Sequence, residues 1–169
     1  MKKVLLFFVL CVVALGAVAQ DTMTAILWDS DEQTNIRNKP SGAVVMTLSA
    51  ENPYVLNLTT PQNGWWRVLD LWNAADDLDP TILANSDTGE YWIHYSVLVV
   101  STRNYGGQEL CLRDAPDEDA GVVFSFTQEL MFRPIDIKGD WVKLKMDGSG
   151  IEGWIEAEWL CSNPLTNCC

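Results

Sequence analysis

Short runs in which apolar and polar residues alternate follow one another along almost the whole chain. The run Trp65-Trp66-Arg67-Val68 is typical, and turn sequences rich in Pro, Gly, Asn and Asp separate it from its neighbours. Period-two runs bounded by turn residues predict β-strands. After the first 20 residues, no segment keeps the 3.6-residue apolar period of an amphipathic helix. The pattern therefore predicts an all-β fold.

The chain contains two copies of one sequence pattern. In each copy an Arg-x-x-Pro stretch is followed by a Trp-containing strand and then by a Trp-Ile strand. The first two elements recur after 76 residues and the third after 62, so the first copy carries an insertion of 14 residues. This spacing predicts tandem modules at 22–99 and 100–169, with the insertion at about 71–90. The paired anchors are Arg37 and Arg113, Trp65 and Trp141, and Trp92 and Trp154. An arginine beside a proline turn can donate hydrogen bonds to loop carbonyls while the proline fixes the path of the chain.

The first residues have the pattern of a signal peptide. Lys2 and Lys3 precede an apolar run from Val4 to Leu15, and Ala17-Val18-Ala19 supplies the small residues of a cleavage site. The apolar run is shorter than the ~20 residues that a membrane-spanning helix needs. We expect residues 1–19 to be removed and the protein to be periplasmic or extracellular, without membrane insertion after cleavage.

The formal net charge is −12, and loss of Lys2 and Lys3 would make it more negative. Such a chain repels nucleic acids and anionic surfaces at long range, which excludes them as expected partners. The inserted stretch at about 71–90 is itself acidic and also contains Trp72, a further candidate ligand contact. Its aspartates lack the glycine of an EF-hand loop, so we expect no metal and no cofactor. Two interpretations of the insertion remain: a solvated loop and a docking surface for a basic protein.

All the cysteines that follow the predicted signal peptide lie in the second copy. They are Cys111, Cys161, Cys168 and Cys169. An exported protein favours structural disulfides, and a bond between two vicinal cysteines would be strained. We expect one of Cys168 and Cys169 to join Cys161 and the other to reach Cys111. Zinc is the alternative, but the spacing lacks the usual Cys-x₂-Cys or His ligands.

The repeated motifs resemble the bacterial SH3-like (SH3b) domain family. Asn35-Ile36-Arg37-Asn38-Lys39-Pro40 is similar to that family's opening strand and loop. Gly139-Asp140-Trp141-Val142-Lys143-Leu144 and Gly153-Trp154-Ile155 resemble its Gly-x-Trp strand and its terminal Gly-Trp strand. In the first copy, Tyr91 replaces the second glycine. The resemblance implies two tandem SH3-like small β-barrels, packed together after a cleaved signal peptide.

Alternation along the strands assigns faces to the tryptophans. Trp66 is in phase with Val68, and Val142 is in phase with Leu144, so Trp66 and Val142 are expected in the core. Trp65 and Trp141 are expected to face outward or to line a groove. An outward aromatic beside a cation suits a peptide or sugar ligand, which the loop aromatics Tyr54 and Phe132 would flank. The alternative is that Trp65 and Trp141 only cover a barrel end or the interface between the copies.

Catalysis finds little support in the sequence. The chain has one histidine, His94, and neither a Gly-x-Ser-x-Gly elbow nor a helix-borne cysteine accompanies it. We therefore expect a non-enzymatic binding module. The family resemblance implies cell-wall peptidoglycan peptides or an extracytoplasmic protein as the ligand. The alternative function is a scaffold or inhibitor subunit that docks a basic partner protein through the acidic insertion.

Overall fold

The computed structural model describes residues 21–75, 81–82 and 90–161. This part of the chain is all-β, as the alternation predicts, and contains two single-turn 3₁₀ helices and no α-helix. The 3₁₀ helices span Tyr95–Val97 and Ala157–Trp159. The strands are β1 (Thr22–Leu27), β2 (Gln33–Arg37), β3 (Val44–Ser49), β4 (Tyr54–Gln62), β5 (Trp65–Asn73), β6 (Thr81–Ile82), β7 (Trp92–His94), β8 (Leu98–Thr102), β9 (Leu110–Arg113), β10 (Val122–Phe126), β11 (Met131–Lys138), β12 (Trp141–Lys145), β13 (Glu152–Glu156) and β14 (Leu160–Cys161).

The strands form one continuous sheet that runs through both halves of the chain. Its order is β10-β9-β13-β12-β11-β8-β1-β4-β5-β7-β2-β3, with β6 added beside β5 and β14 beside β8. The sheet is not closed, because β10 and β3 lie at opposite ends of this order. The expectation of two closed small barrels is therefore wrong: hydrogen bonds continue from one half into the other instead of returning within each half.

The order of strand pairing is the same in the two halves. In the first half β1 pairs with β4, β4 with β5, β5 with β7, β7 with β2, and β2 with β3. In the second half each strand pairs with the next in the equivalent order β8, β11, β12, β13, β9 and β10. Strand β8 has two roles, because it also pairs with β1. It ends the first half and begins the second, so no linker separates them.

The arginine of each Arg-x-x-Pro stretch closes the loop that follows it. Nη1 of Arg37 donates a hydrogen bond to the carbonyl of Gly42 at 2.7 Å, and Nη1 of Arg113 donates one to the carbonyl of Ala120 at 2.8 Å. Each arginine also lies opposite the tryptophan of the Trp-Ile strand. The repeated motif thus fixes the same loop in both halves, because a charged donor gives a loop carbonyl a strong hydrogen bond.

Both halves contribute to one hydrophobic core. Trp66 is fully buried, as its phase with Val68 predicts, and its indole Nε1 donates a hydrogen bond to the carbonyl of Pro134 in β11 at 2.9 Å. The expected core position of Val142 is confirmed in the same way, since it is also fully buried. A single cluster of contacts joins side chains of the two halves; among its members are Ala25, Leu56, Leu58, Trp66, Leu98, Val100, Phe132, Leu144 and Ile155.

One expected disulfide is wrong. Cys111 is a free, half-buried thiol in β9. It shares a face of that strand with Arg113, whereas Leu110 and Leu112 point into the core. Cys161 is buried and lies opposite Ser101 in β8, away from β9. A bond from Cys161 to Cys168 or Cys169 stays a prediction, because residues 162–169 lie outside the described part of the chain.

Two other predicted segments also fall outside the described residues. These are the signal peptide at 1–19 and most of the insertion at about 71–90. Of the insertion, β5 continues as far as Asn73, and β6 pairs with Asp70 and Leu71 at its start.

The contact between Trp66 and Pro134 predicts strong coupling between the two halves. Trp66→Phe removes the indole donor, leaves a buried carbonyl without it and reduces the packed area, so the free energy of unfolding should fall by about 1–3 kcal/mol. The unfolding should remain a single transition in urea, followed by circular dichroism. Trp72→Phe, at a half-buried position of the same strand, is the control and should cost less. Two separate transitions in either protein would contradict the shared core.

Candidate functional site

An aromatic cluster lies on the outward face of the first half, around Trp65. The turn before it contains Asn63 and Gly64, both with positive φ, at 51° and 83°. Asn-Gly suits such a turn because these residues adopt the left-handed region with little strain. The turn sets Trp65 opposite His94, and the carbonyl of Gly64 accepts a hydrogen bond from the Tyr95 amide at 2.9 Å. The hairpin and the 3₁₀ turn are therefore held together.

Three rings and one guanidinium make up the cluster, which we call the Trp65 platform: Trp65, His94, Tyr95 and Arg37. The ring centroids of Trp65 and His94 are 5.1 Å apart in an edge arrangement, and those of His94 and Tyr95 are 4.6 Å apart. The guanidinium carbon of Arg37 lies 5.9 Å from the centroid of the Trp65 ring. All four side chains are half-buried. The platform thus combines aromatic faces with one permanent positive charge.

His94 fixes the edge of the platform and is held in its neutral form. Its Nδ1 accepts a hydrogen bond from the Ser96 amide at 3.3 Å and lies 2.8 Å from the Ser96 hydroxyl, so it caps the 3₁₀ turn. Burial lowers the pKa of His94 from its ordinary value of 6.5. Neutral imidazole is the form that can accept at Nδ1, so burial and the cap favour the same protonation state.

The second half has a different surface at the equivalent place. Trp141 is half-buried, and the residue opposite it is Glu156 instead of a histidine. The Ala157 amide donates to the carbonyl of Asp140 at 2.7 Å, which repeats the hydrogen bond between Tyr95 and Gly64. Because Ala157 is small, a hollow of about 300 Å³ opens there, lined by Asp140, Glu156, Ala157 and Glu158. Trp141 therefore lies between Lys138, opposite it in β11, and Glu156, opposite it in β13, whereas Trp65 has Arg37 beside it.

The other aromatic residues predicted as ligand contacts do not join these surfaces. Tyr54 and Trp72 are half-buried on β4 and β5, and Tyr54 packs against the core. The prediction for Phe132 is wrong. Its side chain is only 1% exposed and packs against Phe126, with ring centroids 5.6 Å apart. Phe132 points inward because it pairs with Val100 of β8 on the core face of the sheet.

The sequence did not single out Trp28, which the structure places on the surface. Trp28 follows β1 and is 57% exposed. It belongs to none of the repeated anchors, and the apolar residues before it are typical of a core strand. An isolated tryptophan next to the acidic stretch Asp29 to Glu32 was the only signal in the sequence.

Within the described ranges, no group of three or more His, Cys, Asp or Glu side chains is arranged to hold a metal ion. Across the same residues, no helix has the length and apolar character needed to cross a membrane.

Residues 106–160 match the model of the Bacterial SH3 domain family. The second half therefore contains an SH3b domain, as its Gly-x-Trp and Gly-Trp strands indicated. Gly153 shows why the glycine is needed: a Cβ there would lie 2.7 Å from the Cβ of Leu112 in β9. The match does not extend to the first half, so a second domain of this family at 22–99 stays a prediction, although the strand pairing is the same.

Two solved structures resemble the chain at low similarity. NlpC1 from Trichomonas vaginalis has 13% sequence identity and a TM-score of 0.33, over 83% of this chain and 46% of that one. NlpC2 from Trichomonas vaginalis has 13% identity and a TM-score of 0.32, over 85% of this chain and 49% of that one. The chain thus spans about half the length of these proteins. No curated protein matches the sequence.

The buried state of His94 predicts how stability depends on pH. Its pKa is lower in the fold than in the unfolded chain, so its contribution to stability is complete above about pH 6.5 and is lost as the pH falls below that value. His94→Asn keeps a capping acceptor that does not titrate. Between pH 7.5 and 5.5, the urea midpoint of the original protein should fall further than that of the variant. Equal falls would show that His94 titrates normally in the fold.

Proposed function

We propose that the protein is an exported, non-catalytic binding protein whose ligand is a peptide, with the peptide stem of the cell wall as the first candidate. The Trp65 platform carries this proposal. It places an aromatic ring, a second ring inclined at 64° to the first and a guanidinium on one outward surface. Aromatic faces and an arginine are the groups that most often dominate the energy of a binding surface.

The charges around the two outward tryptophans support a peptide ligand. Arg37 beside Trp65 and Lys138 opposite Trp141 suit a carboxylate. Glu156, on the other side of Trp141, suits an amino group. Peptides carry both groups, whereas a neutral sugar chain carries neither. The SH3b match in the second half supports cell-wall peptides in particular, since such peptides are the ligands that the family resemblance implies.

The surroundings of His94 support a role without catalysis. Its Nδ1 accepts the Ser96 amide in the cap of the 3₁₀ turn, so this ring nitrogen already has a partner within the protein. A general base needs a nitrogen within reach of the substrate proton. His94 is better explained as the residue that positions the rings of the platform.

Co-sedimentation with purified peptidoglycan tests the proposal. Trp65→Ala should lower the apparent affinity at least about tenfold, which is typical of a dominant aromatic contact. Trp141→Ala should also weaken binding if the peptide spans both halves. Trp28→Ala is the matched control, because it removes an exposed tryptophan from another surface and should leave sedimentation unchanged. Each variant should keep the circular dichroism spectrum of the original.

The outcomes separate the proposal from its alternative. If the original protein does not sediment with peptidoglycan, the proposal of a cell-wall ligand is wrong. If Trp65→Ala binds normally, the Trp65 platform is not the site. If binding is lost only when residues 76–89 are deleted, and if the binding of the original protein depends steeply on salt, docking through the acidic insertion is favoured.

A further inference from the structure

The outward face of the sheet is apolar where the two halves meet. Ile26 of β1 lies opposite Val99 of β8, and Ser101 of β8 lies opposite Met131 of β11. Their neighbours in each strand point to the core on the other side, so these side chains form a second apolar layer. Ile26 is 7% and Val99 is 3% exposed, whereas Met131 is 47% exposed. The layer is therefore covered only in part.

This layer is the floor of a pocket of about 360 Å³. The turn between β3 and β4, Ala50 to Pro53, forms one wall, and Trp28 forms another. The volume suits one or two large apolar side chains and lies at the lower end of the range for ligand sites. We call it the junction pocket.

The backbone at Trp28 is fixed by both halves of the chain. Its amide donates a hydrogen bond to the carbonyl of Val97 at 2.8 Å, and its carbonyl accepts one from Nη1 of Arg133 at 3.1 Å. The same Arg133 nitrogen also donates to the carbonyl of Leu98 at 2.9 Å. The exposed indole thus stands on a rigid base, and a binding surface that is already ordered loses little entropy when a ligand arrives.

The rim of the pocket is acidic. Glu51 lines the pocket and is exposed. The Ala50 amide donates to the carbonyl of Glu32 at 3.0 Å, which places the segment with the exposed Asp31 and Glu32 next to this wall. Arg133 is the cation beside Trp28, and its Nε is paired with Asp147 at 2.8 Å. The field at the pocket mouth therefore favours a cationic ligand.

We propose that the junction pocket binds an extended basic peptide of a partner protein, with a bulky apolar side chain inserted beside Trp28 and a neighbouring Lys or Arg against the acidic rim. This site is separate from the Trp65 platform, and it stands whether or not the platform binds cell-wall peptides. It is present only when both halves are folded together, because β1, β8 and β11 all contribute to its floor.

Labelled synthetic hexapeptides test the proposal by fluorescence anisotropy with the full chain. The probe Lys-Lys-Phe-Leu-Lys-Lys should bind, while Glu-Glu-Phe-Leu-Glu-Glu and Lys-Lys-Gly-Gly-Lys-Lys should each bind at least about tenfold more weakly. Trp28→Ala should weaken the first peptide by a similar factor, and Glu51→Gln should reduce its dependence on salt. Val122→Ala is the control and should bind like the original protein, because it removes an exposed apolar side chain from β10 at the far end of the sheet.

Amide chemical shifts of the original protein give a second measurement that needs no variant. The first peptide should shift Val99, Ser101 and Met131. Three results would overturn the proposal: equal binding of the acidic peptide, unchanged binding by Trp28→Ala, or shifts confined to another surface. Dimerisation of the chain that depends on concentration and is lost in Trp28→Ala would also overturn it, because the pocket would then be occupied by a second copy.

Discussion

The hydrogen bond from the buried Trp66 indole to the carbonyl of Pro134 is the contact on which the two-half architecture depends most. Trp66 lies in the first half and Pro134 in the second, and both are buried in a core that neither half could close alone. Strand β8 strengthens this dependence because it pairs with β1 and with β11. The two copies thus share both a strand and an interior, and they act as one structural unit.

A shared interior explains where the copies could diverge. The loop-closing arginines, Arg37 and Arg113, and the strand order are the same in both halves, since they maintain the common sheet. The outward faces carry no such constraint. At equivalent places the first half has His94 and Tyr95 beside its tryptophan, and the second half has Glu156 and Ala157. Duplication therefore provides one scaffold with two chemically different surfaces.

The sequence predicted what depends on local pattern. Alternation placed Trp66 and Val142 in the core, and the Arg-x-x-Pro motif predicted a side chain that binds loop carbonyls. The sequence did not predict features that depend on contacts between strands far apart in the chain. Phe132 points inward because of its pairing with β8, and the continuous sheet follows from the double role of that strand. Trp28 matters only because β8, β11 and a turn meet beside it, and no local pattern contains that information.

Native-state hydrogen exchange in increasing urea tests the shared core most directly. The account predicts that the amides of Trp66 in β5 and Val142 in β12 exchange through the same global opening, with equal free energies and equal dependence on urea. If the second half held its protection while the first half exchanged through a separate, less costly opening, the halves would be independent domains. That result would contradict the account.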